Sequence, residues 1–161
     1  MSTITIRSAT TNDADALGRL GAQLVALHHN FDRDRFIAPG PGTERGYGGF
    51  LESELKREGV IVLVAEETGR VVGYAYAGLE GHDWMALRGP AGAIYDLVVD
   101  PTRRGKGIGR MLLDDTLARL SALGAPRAVL STAVGNENAQ RLFAAVGFRP
   151  TMIEMTRELS D

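Results

Sequence analysis

The segment from Ala93 to Leu123 constrains the fold more than any other part of the chain. An apolar, strand-like run, Ala93-Ile94-Tyr95-Asp96-Leu97-Val98-Val99, stops at Asp100-Pro101. Arg104-Gly105-Lys106-Gly107-Ile108-Gly109 follows. A helical pattern comes next, with Leu113, Leu117 and Leu120 at i, i+4 and i+7. A glycine-rich turn between a strand and a helix start is a physical device for holding phosphate. Glycine has no Cβ, so its backbone can approach an anion closely. The first N–H groups of the helix lack internal partners, and the helix dipole adds positive charge there. Arg103, Arg104, Lys106 and Arg110 surround the turn with cations. A solvated role serves any one of those side chains equally well.

Two familiar phosphate motifs are excluded. A P-loop needs Gly-Lys-Ser or Gly-Lys-Thr, and neither occurs. The dinucleotide fingerprint needs a third glycine, where this chain has Leu112. The pattern [QR]-x-x-G-x-[GA] is filled, by Arg104, Gly107 and Gly109. A second segment runs from Asn136 to Phe148. Asn136 is a good helix N-cap, and Ala139, Leu142, Phe143 and Val146 form one helical face. Gly147 is placed to end that helix in a left-handed conformation. These two segments, in this order, resemble the GNAT acetyltransferase superfamily. The first matches its acetyl-CoA signature. The second is similar to its downstream element, N-x-x-A-x-x-L-Y-x-x-x-G-F, with Phe143 in place of the usual Tyr.

Composition narrows the setting. A length of 161 residues suits one domain, 1–161, with one sizeable core. A net charge of −2 gives no global pull toward nucleic acid. No apolar run approaches the ~20 residues of a membrane helix. The chain has no cysteine, which excludes disulfides, thiolate metal sites and a cysteine nucleophile. The expected setting is cytoplasmic, with no membrane, nucleic-acid or metal partner.

Along the chain, residues 3 to 7 read as a short strand. A helix capped by Thr11 or Asn12 follows, with Leu17, Leu20, Leu24 and Leu27 as its buried stripe. Residues 30 to 49 read as an irregular, Gly/Pro-rich loop on the substrate side or as a linker. Phe50, Leu51 and Leu55 read as a short helix that ends near Gly59. A hairpin joins strands 60 to 65 and 70 to 77 through Thr68-Gly69. Residues 78 to 92 form a second loop. Strands 93 to 99 and 127 to 132 flank the phosphate turn and its helix, and a final strand runs from Phe148 to about Thr156. The order is β-α-α-β-β-β-α-β-α-β. A strand–helix–strand crossover implies a parallel pair inside an otherwise antiparallel sheet.

The resemblance implies a fold and a site. The fold is α/β, a mixed and mostly antiparallel sheet with helices on both faces. Its central parallel pair is splayed to hold acetyl-CoA, the expected co-substrate. Backbone groups of Leu97, Val98 and Val99 would pair with the pantetheine arm, and an N–H near Val98 would polarise the thioester carbonyl. The turn of Arg104, Gly105, Lys106, Gly107, Ile108, Gly109 and Arg110 would hold the pyrophosphate. Asn136, Asn138 and Phe143 complete the acetyl-CoA side. The implied activity is acetyl transfer to a primary amine of a small molecule or peptide by direct attack in a ternary complex. The other reading is a module that binds acetyl-CoA without catalysis. A homodimer is implied by resemblance alone.

For the general base the residues themselves point to Asp96, a carboxylate inside an apolar strand, because burial raises a carboxyl pKa. His28, His29 and His82 are alternatives through their near-neutral pKa. Tyr74, Tyr76, Trp84, Tyr95 and Asp96 are candidates to line the acceptor pocket. Core packing explains the tyrosine pair 74 and 76 equally well. Glu44, Glu80, Asp83 and Asp96 could together make the pocket acidic, as a polycationic acceptor would require.

Overall fold

The computed structural model describes residues 2–160. Its elements are β1 (Ile4–Ser8), α1 (Ala14–Phe31), α2 (Thr43–Glu54), β2 (Val60–Glu67), β3 (Arg70–Glu80), β4 (Ala91–Val99), α3 (Ile108–Ala122), β5 (Ala128–Leu130) and α4 (Glu137–Ala145). The strands form one sheet in the order β1-β2-β3-β4-β5. Every neighbouring pair is antiparallel except β4 and β5, which are parallel. This is the expected mixed sheet.

Alternation, reset once in β3 where the register with β2 shifts at Val72, divides the strands between two cores. Leu63, Ala65, Val72 and Ala75 face α3, against Leu112, Leu113 and Leu120. Val62, Val64, Tyr74 and Tyr76 face α1 and α2, against Leu17, Leu20 and Leu51. Each fully buried leucine contributes about 1.5–3 kcal/mol, so both layers are well anchored. The β2–β3 turn is tight because Thr68 and Gly69 both take positive φ, 48° and 78°. Two such residues make the primed turn whose twist suits a hairpin.

One irregularity in β4 positions the site. Tyr76 pairs with Asp96, but Ala77 pairs with Ile94, so Tyr95 is an inserted residue. The bulge resets the alternation. Ile94 before it and Leu97 after it both lie against the α3 layer, and Asp96 turns to the layer of α1 and α2. Simple alternation would have put Asp96 on the same face as Ile94. A second feature opens the sheet. β5 pairs with only Gly92, Ala93 and Ile94, so beyond Leu130 the parallel strands part.

Three expectations are corrected. The loop expected at 30 to 49 is shorter, because α2 starts at Thr43 despite Gly46, Gly48 and Gly49. Gly48 here and Gly18 of α1 serve close packing between the two helices. A Cβ on Gly48 would lie 2.6 Å from the Ala14 carbonyl oxygen, and one on Gly18 would lie 2.3 Å from that of Glu44. Helix propensity favours neither glycine, and tertiary approach overrides it. The hairpin strand β3 and the strand β4 extend further into the expected loop at 78 to 92. The final strand from Phe148 to Thr156 does not form, since these residues have no ladder partner.

Candidate active site

At the parting of β4 and β5 lies a cavity of about 320 Å³. One wall is Ile94, Leu97, Leu130, Ser131, Thr132, Asn136, Ala139 and Phe143, from the two strands and α4. The opposite wall is Leu24, Val25 and His28 of α1, Phe36 and Ile37 beyond it, and Tyr47 of α2. Tyr95 and Asp96 lie between the two walls.

Asp96 is buried, and its Oδ2 accepts two hydrogen bonds. The Tyr47 hydroxyl donates at 2.6 Å and the Tyr74 hydroxyl at 2.8 Å. No protein group donates to Oδ1 among the described residues. No cation is in ion-pair range of this carboxylate. Burial therefore wins and raises its pKa above the ordinary range, against the lowering effect of the two tyrosines and of His28. The tyrosine pKa values rise as well. Burial and the neighbouring carboxylate push both phenols up, so they remain donors. Gly21 of α1 makes room for this arrangement, because a Cβ there would meet the Tyr47 ring at 2.3 Å. Of the three histidines, His28 alone lines the cavity. Its Nδ1 lies 2.9 Å from the Leu24 carbonyl oxygen, so Nδ1 carries hydrogen and Nε2 is the free nitrogen.

The glycine turn lies where β4 ends. Gly105 and Gly107 take positive φ, 79° and 78°, and a Cβ on either would meet nothing within 4 Å. The turn is thus shaped for glycine and open above. Met111 N–H to Gly107 C=O is the first bond of α3, which leaves the N–H groups of Ile108, Gly109 and Arg110 without helical partners. Gly109 stands against Val99 and Leu142, so turn, strand and α4 meet at the edge of the gap. The cations are partly committed elsewhere. Arg103 and Lys106 face Glu67 at 2.9 and 3.9 Å, and Arg110 bonds Asp114 at 3.0 Å. Arg104 makes no ion pair among the described residues. An anion here meets mainly backbone, and the residues fit a pyrophosphate.

The structure moves several expected residues. Asp100 N–H bonds the Val72 carbonyl and so sets the phase of the β3–β4 ladder. Val98 then exchanges its bonds with Tyr74, and the outward backbone groups belong to Leu97 and Val99. The Val98 N–H, expected to face the ligand, is therefore turned to Tyr74. Tyr74 is fully buried behind Asp96, and Tyr76 donates to Glu54 Oε2 at 2.5 Å. Neither lines the cavity. Trp84 is 77% exposed and borders a separate depression with His82, Asp83 and Arg88. Asn138 sits outside and accepts a bond from Arg141. Asn136 and Phe143 do line the cavity, and Asn136 Oδ1 caps α4 by accepting from Ala139 N–H at 3.2 Å. Tyr95 lines it too, with its hydroxyl committed to Glu80 at 2.6 Å and its pKa pushed up to about 12 by burial and that carboxylate. Tyr47 escaped the sequence reading because it stood in the supposed loop. The signal that could have found it was the small-residue pattern of Gly18, Gly21 and Gly48.

Known proteins share this sequence pattern and this fold. Mycothiol acetyltransferase of Thermobispora bispora is 37% identical over 90 residues, 53% of this chain and 29% of that protein. The chain therefore spans less than a third of the length of this curated relative. A crystal structure of a Bacillus halodurans protein superposes with a TM-score of 0.81 at 25% identity, covering 97% of this chain and 99% of the other. An aminoglycoside N-acetyltransferase in complex with CoA superposes with a TM-score of 0.72 at 17% identity, covering 99% and 97%. That last likeness is one of fold. The model of the acetyltransferase (GNAT) family matches residues 25–148. That span holds the parted strands, the glycine turn and the capped α4, and the chain belongs to this acetyltransferase (GNAT) family.

Proposed function

We propose that this chain is an N-acetyltransferase that moves the acetyl group of acetyl-CoA to a primary amine of a small molecule or peptide. Attack is direct, within a ternary complex. The observation that carries the reading is the unpartnered Oδ1 of Asp96 at the parting of β4 and β5. Acetyl-CoA supplies the thioester carbonyl. The turn at 104 to 109 holds its pyrophosphate, and the outward backbone of Leu97 and Val99 orients its arm. An aliphatic ammonium has a pKa near ~10.4, so it must lose a proton before it can attack. Asp96 Oδ1 takes that proton, which a carboxyl of raised pKa does more readily at neutral pH. The amine nitrogen then bonds the acetyl carbon, the C–S bond breaks, and the second amine proton goes to the departing sulfur, which leaves as thiol, or to water, with the sulfur leaving as thiolate. The setting we assign is a cytoplasmic homodimer.

The lining also bears on the acceptor. Asp96 is the single acidic residue among those that line the cavity. Glu80 is occupied by Tyr95 and Arg88, and Asp83 holds the backbone of Met85 and Ala86. Leu24, Val25, Phe36 and Ile37 make the acceptor wall apolar. This favours a monoamine with an apolar body over a polycation. A thiol-release screen tests both points. We expect arylalkyl and alkyl monoamines to exceed polyamines and aminoglycosides in kcat/KM. Release with no amine of the panel refutes the enzyme reading, and polycations at the top of the order refute the acceptor class.

Phe143 favours a second reading, a module that binds acetyl-CoA without turnover. It has no hydroxyl to protonate a departing thiolate. An alkyl thiol has a pKa near ~8.5, so its thiolate leaves tolerably without full protonation, and Ser131 also lines the cavity. Phe143→Tyr should therefore change turnover by roughly tenfold or less. An inert wild type beside an active Phe143→Tyr would establish the second reading.

A further inference from the structure

Tyr95 is the residue that the bulge inserts into β4. A bulge bends its strand and re-aims the side chains beside it. Here Tyr95 and Asp96 both turn to the layer of α1 and α2, and both line the cavity. β4 runs toward the glycine turn, so Tyr95 stands on the far side of Asp96 from the pyrophosphate site. An amine whose nitrogen meets Asp96 Oδ1 therefore extends its body past Tyr95. Packing alone does not fix this side chain, which is 42% exposed. Its ring leans on Tyr76, with centroids 4.7 Å apart. It passes over Gly78, where a Cβ would lie 3.5 Å from the ring and 3.7 Å from the hydroxyl oxygen.

The tip of the ring carries the anchor. The Tyr95 hydroxyl donates to Glu80 Oε1 at 2.6 Å. Tyr76, Gly78 and Glu80 are alternate residues of β3, so they share one face and form a track under the Tyr95 ring. Glu80 is itself held. Arg88 bonds its other carboxylate oxygen, and the backbones of Asp83 and Arg88 exchange hydrogen bonds at 3.0 and 3.1 Å. Tyr95 and Arg88 keep the Glu80 carboxyl below the usual carboxylate range, so it is charged at neutral pH. A hydrogen bond to a charged acceptor is about twice as strong as a neutral one. Glu80 does not line the cavity. We infer that Tyr95 limits the length of the amine the cavity accepts, and that Glu80 is a positioning residue that acts on the acceptor by holding the Tyr95 hydroxyl. The inference rests on the acetyl-transfer reading and adds to it the residue pair that sets acceptor size.

The test is kcat/KM along a series of linear alkylamines of increasing length, for wild type, Glu80→Ala, Tyr95→Phe, the double variant and Glu80→Gln. Glu80→Ala frees the ring, so the preference for short over long amines should fall ~tenfold, the weight of one charge-assisted hydrogen bond. The change should lie in KM more than in kcat, because Asp96 is untouched. Tyr95→Phe cuts the same bond and should give the same shift. The double variant should match either single one rather than their product. Glu80→Gln keeps an acceptor oxygen and should restore most of the wild-type preference. Acetyl-CoA affinity and circular dichroism should stay constant throughout. Effects that multiply in the double variant would show that Glu80 acts elsewhere and overturn its positioning role. Tyr95→Phe removes one oxygen and keeps the ring, so an unchanged preference in that variant overturns the inference even if Glu80→Ala fails to fold. That result needs an active wild type. A wild type inert on every amine instead overturns the acetyl-transfer reading, and the inference falls with it.

Discussion

The glycine turn and the Asp96 cavity are fed by the same strand, yet under the proposed function they work by opposite means. The turn acts through backbone. Its N–H groups are unpaired, its glycines hold positive φ, and most of its cations already face carboxylates. The cavity acts through one side chain, whose Oδ2 is held by two phenols and whose Oδ1 is free. A backbone site is damaged by adding atoms and tolerates the loss of a side chain. A side-chain site fails when one functional atom changes. Glu54 sharpens the second half of this contrast. It also binds a tyrosine hydroxyl, from Tyr76, but Arg57 lies at 3.0 Å and its pKa falls. A compensated carboxylate on the same layer is structural, whereas the uncompensated one is fit for proton transfer.

The largest effect should come from Asp96→Asn. Turnover should fall ~10²–10⁴-fold, the usual weight of a general base, with acetyl-CoA affinity unchanged by calorimetry. Stability should move the other way. The folded pKa of Asp96 is raised, so its stabilising contribution is complete below the unfolded pKa and is lost as pH rises through the folded one. Asn stays neutral throughout. The variant should therefore melt higher than wild type at neutral pH, and the difference should vanish in acid.

Gly107→Glu attacks the other site by addition. It puts a like charge against the pyrophosphate, and such a juxtaposition costs several kcal/mol, on the order of 10²-fold in affinity. The fold should survive, because nothing lies within 4 Å of the new Cβ and the positive φ of 78° costs an L residue only about 1–2 kcal/mol. Unchanged affinity in a folded variant would remove the turn from the site. Tyr47→Phe should act on the pH profile rather than on the maximal rate. It deletes a bond that favours the charged form of Asp96, so the acid limb of kcat/KM should move to higher pH while the alkaline plateau stays. A lower plateau with an unmoved limb would mean that Tyr47 only packs. Lys106→Ala should matter least. Losing one exposed cation should weaken acetyl-CoA binding by ~fivefold or less. A much larger loss would make the turn a side-chain site and undo the contrast.

Much of this was legible in the residue order. The glycine turn, the start of α3 at Ile108 and its stop near Gly124 are local events. So are the Asn136 cap of α4 and the Thr68-Gly69 hairpin. Each depends on neighbours within a few positions, and the residue types that satisfy them are few. The tyrosine cage was not legible. Tyr47, Tyr74 and Asp96 are far apart in the chain, and Tyr47 sat among glycines that read as loop. Nor could alternation foresee the bulge at Tyr95, since two ladders of nearly equal local quality differ only in how they pack.

The sequence by itself determined the order of elements from β1 to α4, the glycine turn and the one carboxylate within an apolar strand. Backbone conformation, capping and burial pattern are short-range, so composition and spacing suffice for them. Tertiary structure alone decided which face Asp96 takes, which hydroxyls hold it and which oxygen is left free. It also left the Phe148–Thr156 segment without the partner its strand pattern calls for. These outcomes depend on contacts between distant segments, and the free energy of such contacts is written in no single stretch of the chain.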